Sequence, residues 1–159
     1  MKLPDNLTTL AAIEKVRGYS KKLVFTNGCF DILHVGHARY LEEAKALGDV
    51  LLFGLNSDES IARIKDPKRP ILPEAERKEM LLALSSVDFV MTFDEDTPYE
   101  LIKEVKPDIL VKGGDWSVDQ IVGSDVVLEN GGEVKSLSFF EGHSTTDIVQ
   151  EVLKKYAAD

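Results

Sequence analysis

Strand-forming runs recur along the chain at Leu23 to Thr26, Val50 to Leu55, Val87 to Thr92, Asp108 to Val111 and Glu133 to Leu137, each too short for a buried helix. Stretches with helical spacing lie between them. Arg39 to Leu47 is periodic, Ser57 precedes Asp-Glu-Ser-Ile-Ala-Arg, Pro73 opens Glu-Ala-Glu-Arg-Lys-Glu-Met-Leu-Leu, and Thr97-Pro98 opens Tyr-Glu-Leu-Ile-Lys-Glu-Val. Capping residues, first-turn prolines and acidic first turns agree in placing these helix starts. A leading helix from about Leu7 to Arg17 and a closing one from about Thr145 to Tyr156 complete the inventory. Strands that alternate with helices predict a five-stranded parallel sheet joined by right-handed crossovers, with helices on both faces. Ligands of such α/β folds gather beyond the C-terminal strand edge, at the point where the strand order reverses.

Length and composition narrow this picture. A chain of 159 residues with 43% hydrophobic content can bury one good core, so a single domain is expected, a helix in residues 1–20 leading a core of 21–159. A net charge of -9 argues against a nucleic-acid or anionic-membrane surface, because both need a basic face. One cysteine, no long apolar run and no basic and apolar leader predict a cytoplasmic, disulfide-free protein. A small anionic substrate requires only a local basic pocket, for which Lys65, Lys68, Arg69, Arg77 and Lys112 are candidates.

The first strand runs into Thr26-Asn-Gly-Cys-Phe-Asp-Ile-Leu-His34-Val-Gly36-His37, and a periodic helix follows. Two histidines around one glycine therefore sit where a strand hands over to a helix. Unpaired N–H groups and the positive end of the helix dipole favour phosphate there. Gly36 carries no side chain to obstruct close approach of phosphate and backbone. A closed zinc site is disfavoured, because His143 is the only other histidine and Cys29 the only cysteine. No G-x-G-x-x-G follows the first strand and no G-x-x-x-x-G-K-[ST] occurs, so a Rossmann-like dinucleotide oxidoreductase and a Walker-type ATPase are both disfavoured, although the doubly wound, Rossmann-like fold itself is expected.

These residues resemble the signature of the nucleotidylyltransferase superfamily, whose HxGH motif is matched in full by His34-Val35-Gly36-His37. The resemblance implies transfer of a nucleoside monophosphate from a triphosphate to a phosphorylated acceptor. The imidazoles would donate hydrogen bonds to the α-phosphate in its five-coordinate state, so catalysis is positioning plus charge stabilisation. Asn27, Gly28, Cys29 and Phe30 would line the nucleotide, and Asp31 would orient a histidine, help hold magnesium or meet the substrate, with capping of the following turn the plain alternative. Gly142-His-Ser144-Thr145-Thr146 is similar to the second signature, so Gly142, Ser144 and Thr145 are expected to hold the departing pyrophosphate, with plain N-capping the alternative for the hydroxyls.

Three further segments carry candidate chemistry. Ile109-Leu-Val-Lys112-Gly113-Gly114-Asp115-Trp116 is a strand running into a glycine turn, where Lys112 would hold phosphate and Trp116 would cover a base or sugar. The basic stretch Lys65 to Pro73 reads as a mobile loop able to close over a triphosphate, with Lys65 and Arg69 neutralising charge and Arg77 reaching the same phosphates. Cytidylyltransferases of the superfamily usually carry an Arg three residues before the glycine of the second signature, and Phe139 stands there instead.

Asn56-Ser-Asp, Lys68-Arg-Pro-Ile and Val111-Lys-Gly-Gly-Asp extend the resemblance, from about Lys21 to Tyr156, to the adenylyltransferases of heptose 1-phosphate. That branch implies ATP and a sugar 1-phosphate as substrates, Mg²⁺ carried by ATP rather than by protein ligands, ADP-heptose for the lipopolysaccharide core as product, and a homo-oligomer, dimer or higher. Many such relatives are fused behind a sugar kinase, so a separate kinase is expected to supply the acceptor here. The implied roles are catalytic for His34, His37 and Lys65; nucleotide-binding also for Arg69, Arg77, Lys112, Gly113 and Gly114; and substrate-binding for Asp31, Lys65, Asp115 and Trp116. The alternatives are a cytidylyltransferase for glycerol 3-phosphate or another polyol phosphate, and a non-catalytic nucleotide sensor.

Overall fold

At the centre of a five-stranded sheet lies β1 (Leu23–Gly28), flanked by β2 (Val50–Asn56) and β4 (Ile109–Gly113), with β3 (Phe89–Phe93) and β5 (Glu133–Leu137) at the edges. The computed structural model describes residues 4–138 and 144–157. All pairings are parallel in the order β3-β2-β1-β4-β5, with Leu23 opposite Val50 and Val24 opposite Ile109. The order reverses at β1, so the crevice between β1 and β4 opens at the end of β1, where the histidine segment begins.

Alternating residues of the strands feed two separate cores. One face carries Val24, Leu51, Phe53, Leu55, Val90, Ile109 and Val111 against Tyr40, Leu41 and Ala44 of α2 (Val35–Lys45) and Leu81 of α4 (Glu74–Leu82). The other presents Leu23, Phe25, Leu52, Met91, Phe93 and Leu110 to Ile13 of α1 (Asn6–Arg17), Leu101, Ile102 and Val105 of α5 (Tyr99–Val105), and Val127 of α6 (Ser124–Glu129). Every residue of β2 is buried, as a strand covered on both faces requires. Each fully buried Leu, Val or Phe contributes about 1.5–3 kcal/mol, so these two layers supply most of the favourable term.

The lower edge of the sheet is pinned by a device the hydrophobic pattern does not reveal. Asp49, Asp88 and Asp108 each immediately precede a strand and accept a backbone N–H from the strand beside it. Asp49 takes Lys22 N at 2.8 Å, Asp88 takes Leu51 N at 2.7 Å, and Asp108 takes Leu23 N at 2.8 Å. Three carboxylates thus fix the relative register of four neighbouring strands at their first residues. Asp5 and Ser57 cap α1 and α3 (Asp58–Ile64) through side-chain oxygens that accept the N–H of Thr8 and Ser60.

Most strand ends shift by a residue or two from the expected ones, and three departures bear on the fold. Helix α2 begins at Val35 rather than Arg39, so His34 is its N-cap and the histidine motif is its first turn. Strand β3 begins at Phe89, because Val87 closes a turn onto the Leu84 carbonyl. Between β4 and β5 run a 3-10 turn (Val118–Gln120) and α6, which the sequence reading left out. At six residues α6 is too short to show a period, and it is entered through Gly123 at φ +86°, where a Cβ would also meet Ile102 at 2.6 Å. The last helix, α7 (Thr145–Tyr156), buries none of its side chains and leaves Val152, Leu153 and Tyr156 exposed. No helix among the described residues is long and apolar enough to cross a membrane.

Candidate active site

The segment between β1 and α2 reverses direction through Phe30, a non-glycine residue at φ +42°. This left-handed turn lays the Phe30 ring on the imidazole of His37, centroids 3.9 Å apart, while His34 stacks on His37 at 3.7 Å. Phe53 of β2 backs the Phe30 ring at 4.5 Å. Gly28 makes room for the arrangement, since a Cβ there would stand 2.9 Å from a Phe30 ring carbon. The order Phe30, His37, His34 is therefore a three-ring stack at the mouth of α2.

Burial and the neighbouring imidazole set the protonation of His37. Burial, and then the neighbouring His34, lower the pKa of His37 to about 4, against a hydrogen bond to the Ile32 backbone that works in the other direction. Around neutral pH His37 is thus an uncharged imidazole, and its buried Nδ1 has no hydrogen-bond partner among the described residues. Behind it, the Tyr40 hydroxyl and the Thr26 hydroxyl share a 2.6 Å hydrogen bond, and burial holds the phenol up at about 12.

Asp31 occupies a different role from the one expected. Its carboxylate is almost wholly buried and accepts from Arg69 Nε at 2.5 Å, from Ile71 N at 2.8 and 2.9 Å, and from Leu72 N at 2.9 Å. Burial alone would raise its pKa, but the Leu72 and Ile71 N–H groups and Arg69 together bring it below the ordinary carboxylate value. Its lone pairs are committed to the protein, so the expectation that it meets substrate or turns a histidine is corrected to an anchor for residues 69–72.

Arg77 is likewise an internal brace. Its guanidinium is fully buried and donates to Leu72 O at 3.0 Å, Cys29 O at 2.7 Å, Asn56 O at 3.0 Å and an Asp58 carboxylate oxygen at 2.7 Å. A side chain spent in this way does not reach out to phosphates, which corrects the nucleotide-binding role expected of it. Leu72 is gripped on both of its backbone groups, its N–H by Asp31 and its carbonyl by Arg77. The expected mobile loop is therefore tied down at its C-terminal half.

The cations around Cys29 come from three elements. Lys65 is the C-cap of α3, Arg69 follows it, and Lys112 projects from β4. Burial and then the Lys65 charge push the Lys112 ammonium below its ordinary pKa, so two positive groups face one another across the end of the sheet. Burial raises the Cys29 thiol against the opposing pull of Lys65, Arg77 and Arg69, which leaves it a neutral, unreactive wall. Asn27 and Gly28, the last residues of β1, are half-buried at the same edge. Lys65 and Lys68 are both exposed.

Beyond Lys112, β4 ends at Gly113 and turns through Gly114 at φ +108°. The Ser136 hydroxyl donates to the Gly114 carbonyl, and the Trp116 indole Nε1 donates to Gly113 O at 3.0 Å. Trp116 is thereby folded over its own turn with about half its surface exposed, and Asp115 points to solvent. At the start of α7, Ser144 accepts the Asp147 N–H as an N-cap, and the Thr145 hydroxyl donates to Ile32 O at 3.4 Å. Ile32 thus links the second hydroxyl segment to His37 through its backbone, a connection with no trace in the sequence. Gly142, Phe139 and His143 lie outside the described residues.

A doubly wound sheet whose reversal point holds stacked imidazoles, a helix N-terminus and converging cations defines a nucleotidyltransferase-type α/β domain. Residues 25–151 match the cytidylyltransferase-like family, and the chain belongs to it. It is 52% identical over 155 residues to the bifunctional protein HldE of Geobacter metallireducens and 50% identical over 155 residues to that of Geobacter sulfurreducens, covering 98% of this chain in each case. The chain spans 31% of the length of those curated relatives. Among solved structures it is similar to the lipopolysaccharide core biosynthesis protein from Thermoplasma volcanium, at 32% identity and a TM-score of 0.60 over 77% of this chain and 99% of that one. The pantothenate synthetase from Thermus thermophilus shares the fold at 16% identity, with a TM-score of 0.62 over 98% of this chain and 70% of that one.

Proposed function

We propose that the chain is an adenylyltransferase that converts D-glycero-β-D-manno-heptose 1-phosphate and ATP into ADP-heptose and pyrophosphate, for lipopolysaccharide core precursor synthesis. The observation that carries the reading is the stacked pair His34 and His37 at the mouth of α2, in the segment whose Cys29 is surrounded by Lys65, Arg69 and Lys112. Family membership and the relatives named above favour this chemistry.

The reaction needs one phosphate oxygen of the sugar to attack the α-phosphorus of ATP while the bond to the β,γ-pyrophosphate breaks. Charge accumulates on the α-phosphoryl oxygens, so donors fixed in advance lower the barrier more than flexible ones. His37 is held by rings on both faces; its neutral ring has a single N–H, already turned to the Ile32 backbone, and the negative charge of a bound triphosphate favours the protonated form, which gains a second N–H to donate. In this reading its N–H and that of His34 meet the α-phosphate, and the first-turn amides of α2 add theirs. Lys65 and Arg69 offset triphosphate charge, and Lys112 takes either the same phosphates or that of the acceptor. Cys29 and Phe30 give backbone to the nucleotide, Gly113 and Gly114 allow close approach, and Asp115 and Trp116 border the sugar. Thr145, with Gly142 and Ser144, meets the departing pyrophosphate. Mg²⁺ would arrive with ATP as part of the substrate and would supply further offset of the phosphate charge. Association into a homo-oligomer belongs to the same proposal, and light scattering of the purified protein tests it.

The decisive experiment is pyrophosphate release by the purified protein with ATP against CTP, and with heptose 1-phosphate against glycerol 3-phosphate. Turnover with ATP and the heptose alone is the expected result. Turnover with CTP and glycerol 3-phosphate would keep the family and replace the substrates. No turnover with any pair would overturn the proposed reaction.

A further inference from the structure

Asp31 stands three residues before His34, yet its carboxylate faces residues 69–72 on the far side of β2 in sequence. The contacts divide in two. Oδ1 takes the N–H groups of Ile71 and Leu72, while Oδ2 takes Arg69 Nε and a second, shared bond from Ile71. The carboxylate is 1% exposed and the Arg69 side chain 25% exposed, so the inner end of the pair is dry and the outer end open. Arg69 holds no other side-chain bond among the described residues, which leaves both terminal amino groups of its guanidinium uncommitted. An arginine tied at Nε keeps the planar fork that fits two phosphate oxygens, and it has already lost the rotamer freedom that phosphate binding would otherwise cost.

We propose that Asp31 is a positioning residue for nucleotide transfer: it acts through Arg69, holding the guanidinium by Nε so that its two terminal nitrogens are set for the triphosphate. This rests on the adenylyltransferase reading only in taking a nucleoside triphosphate as the ligand. The opposite grip of Arg77 on the Leu72 carbonyl makes the anchor rigid, since the turn cannot slide along Asp31 without breaking the bond at 3.0 Å. The histidine turn and the cation that serves the same phosphates are thereby held in register by one carboxylate.

A merely structural Asp31 is separable from a positioning one by a double-mutant cycle on MgATP affinity, measured calorimetrically with the full chain. Asp31→Asn keeps an oxygen for the Ile71 and Leu72 amides but loses the charge-assisted bond to Arg69. The expected loss of affinity is about tenfold for Asp31→Asn and at least as large for Arg69→Met. Adding Asp31→Asn to Arg69→Met is expected to change affinity by no more than about twofold, because the route through Arg69 is already closed. Multiplying losses, or an Asp31→Asn protein that binds as wild type, would overturn the proposal. Arg69→Lys tests it without disturbing Asp31. A lysine keeps the charge but has neither Nε anchor nor fork, so it should bind more weakly than wild type, and wild-type affinity in Arg69→Lys would overturn the proposal even if Asp31→Asn does not fold. Binding needs no acceptor, so a normal cycle with no pyrophosphate release overturns the proposed reaction and leaves the role of Asp31 standing.

Discussion

Replacing Arg77 by Met retains most of the side-chain volume and removes the donors from four acceptors. The carbonyl of Asn56 is left in a dry interior, those of Leu72 and Cys29 lie in partly buried positions, and Asp58, 39% exposed, can turn to water. An unsatisfied buried acceptor costs about 1–3 kcal/mol, so the three carbonyls set the figure. Asp58 keeps its access to water and adds little, so the lower half of that sum, about 3–5 kcal/mol, is the expected cost. At roughly 2–4 °C per kcal/mol for a domain of this size, Arg77→Met should melt about 10 °C below wild type. Arg77→Lys keeps the charge without the fork and should fall between them. The assay is thermal and urea unfolding with and without MgATP. A brace loses stability in the free protein and keeps much of the nucleotide-induced rise in melting temperature. A phosphate contact would melt normally when free and lose that rise. An Arg77→Met protein within about 2 °C of wild type would refute the bracing role.

Three other outcomes follow from the same geometry. His37→Asn should lower turnover by about 10²-fold or more while the protein still folds, its melting temperature reduced only by the few degrees that two lost ring contacts cost; pyrophosphate release and a melt measured together check it. The folded pKa of His37, about 4, lies below its ordinary value of 6.5, so the unfolded chain binds the proton first. Its contribution to stability is therefore complete above pH 6.5 and is lost as pH falls from 6.5 towards 4. Urea unfolding of wild type and His37→Gln across that range should show a steeper acid loss in wild type, and parallel curves would contradict it. Gly28→Ala places a methyl 2.9 Å from the Phe30 ring, which His37 and Phe53 prevent from swinging away. It should cost about 1–3 kcal/mol, and the double variant with Phe30→Leu should cost less than the sum of the two singles.

Periodicity in the chain was enough to determine the strand and helix alternation, because a period of 2 or 3.6 is a property of the side chains themselves. Five parallel strands with helices on both faces follow from it, and the observed sheet agrees. The His34 and His37 motif was equally legible, since a strand-to-helix handover offers its N–H groups wherever it occurs. What periodicity did not carry was the partner of each polar residue. Asp31 and Arg69 are 38 positions apart, and Arg77 and Cys29 are 48 apart. In sequence, Arg77 is a cation near a basic loop and so reads as a phosphate ligand. The fold seals it between three carbonyls and makes it a brace. The Phe30 stack has the same origin, since it depends on a left-handed turn and on the absence of a Cβ at Gly28. Local chemistry is written residue by residue, whereas burial and pairing exist only once the crossovers have brought distant segments together. Tertiary structure alone therefore decides which charges face a ligand and which are consumed in holding the site.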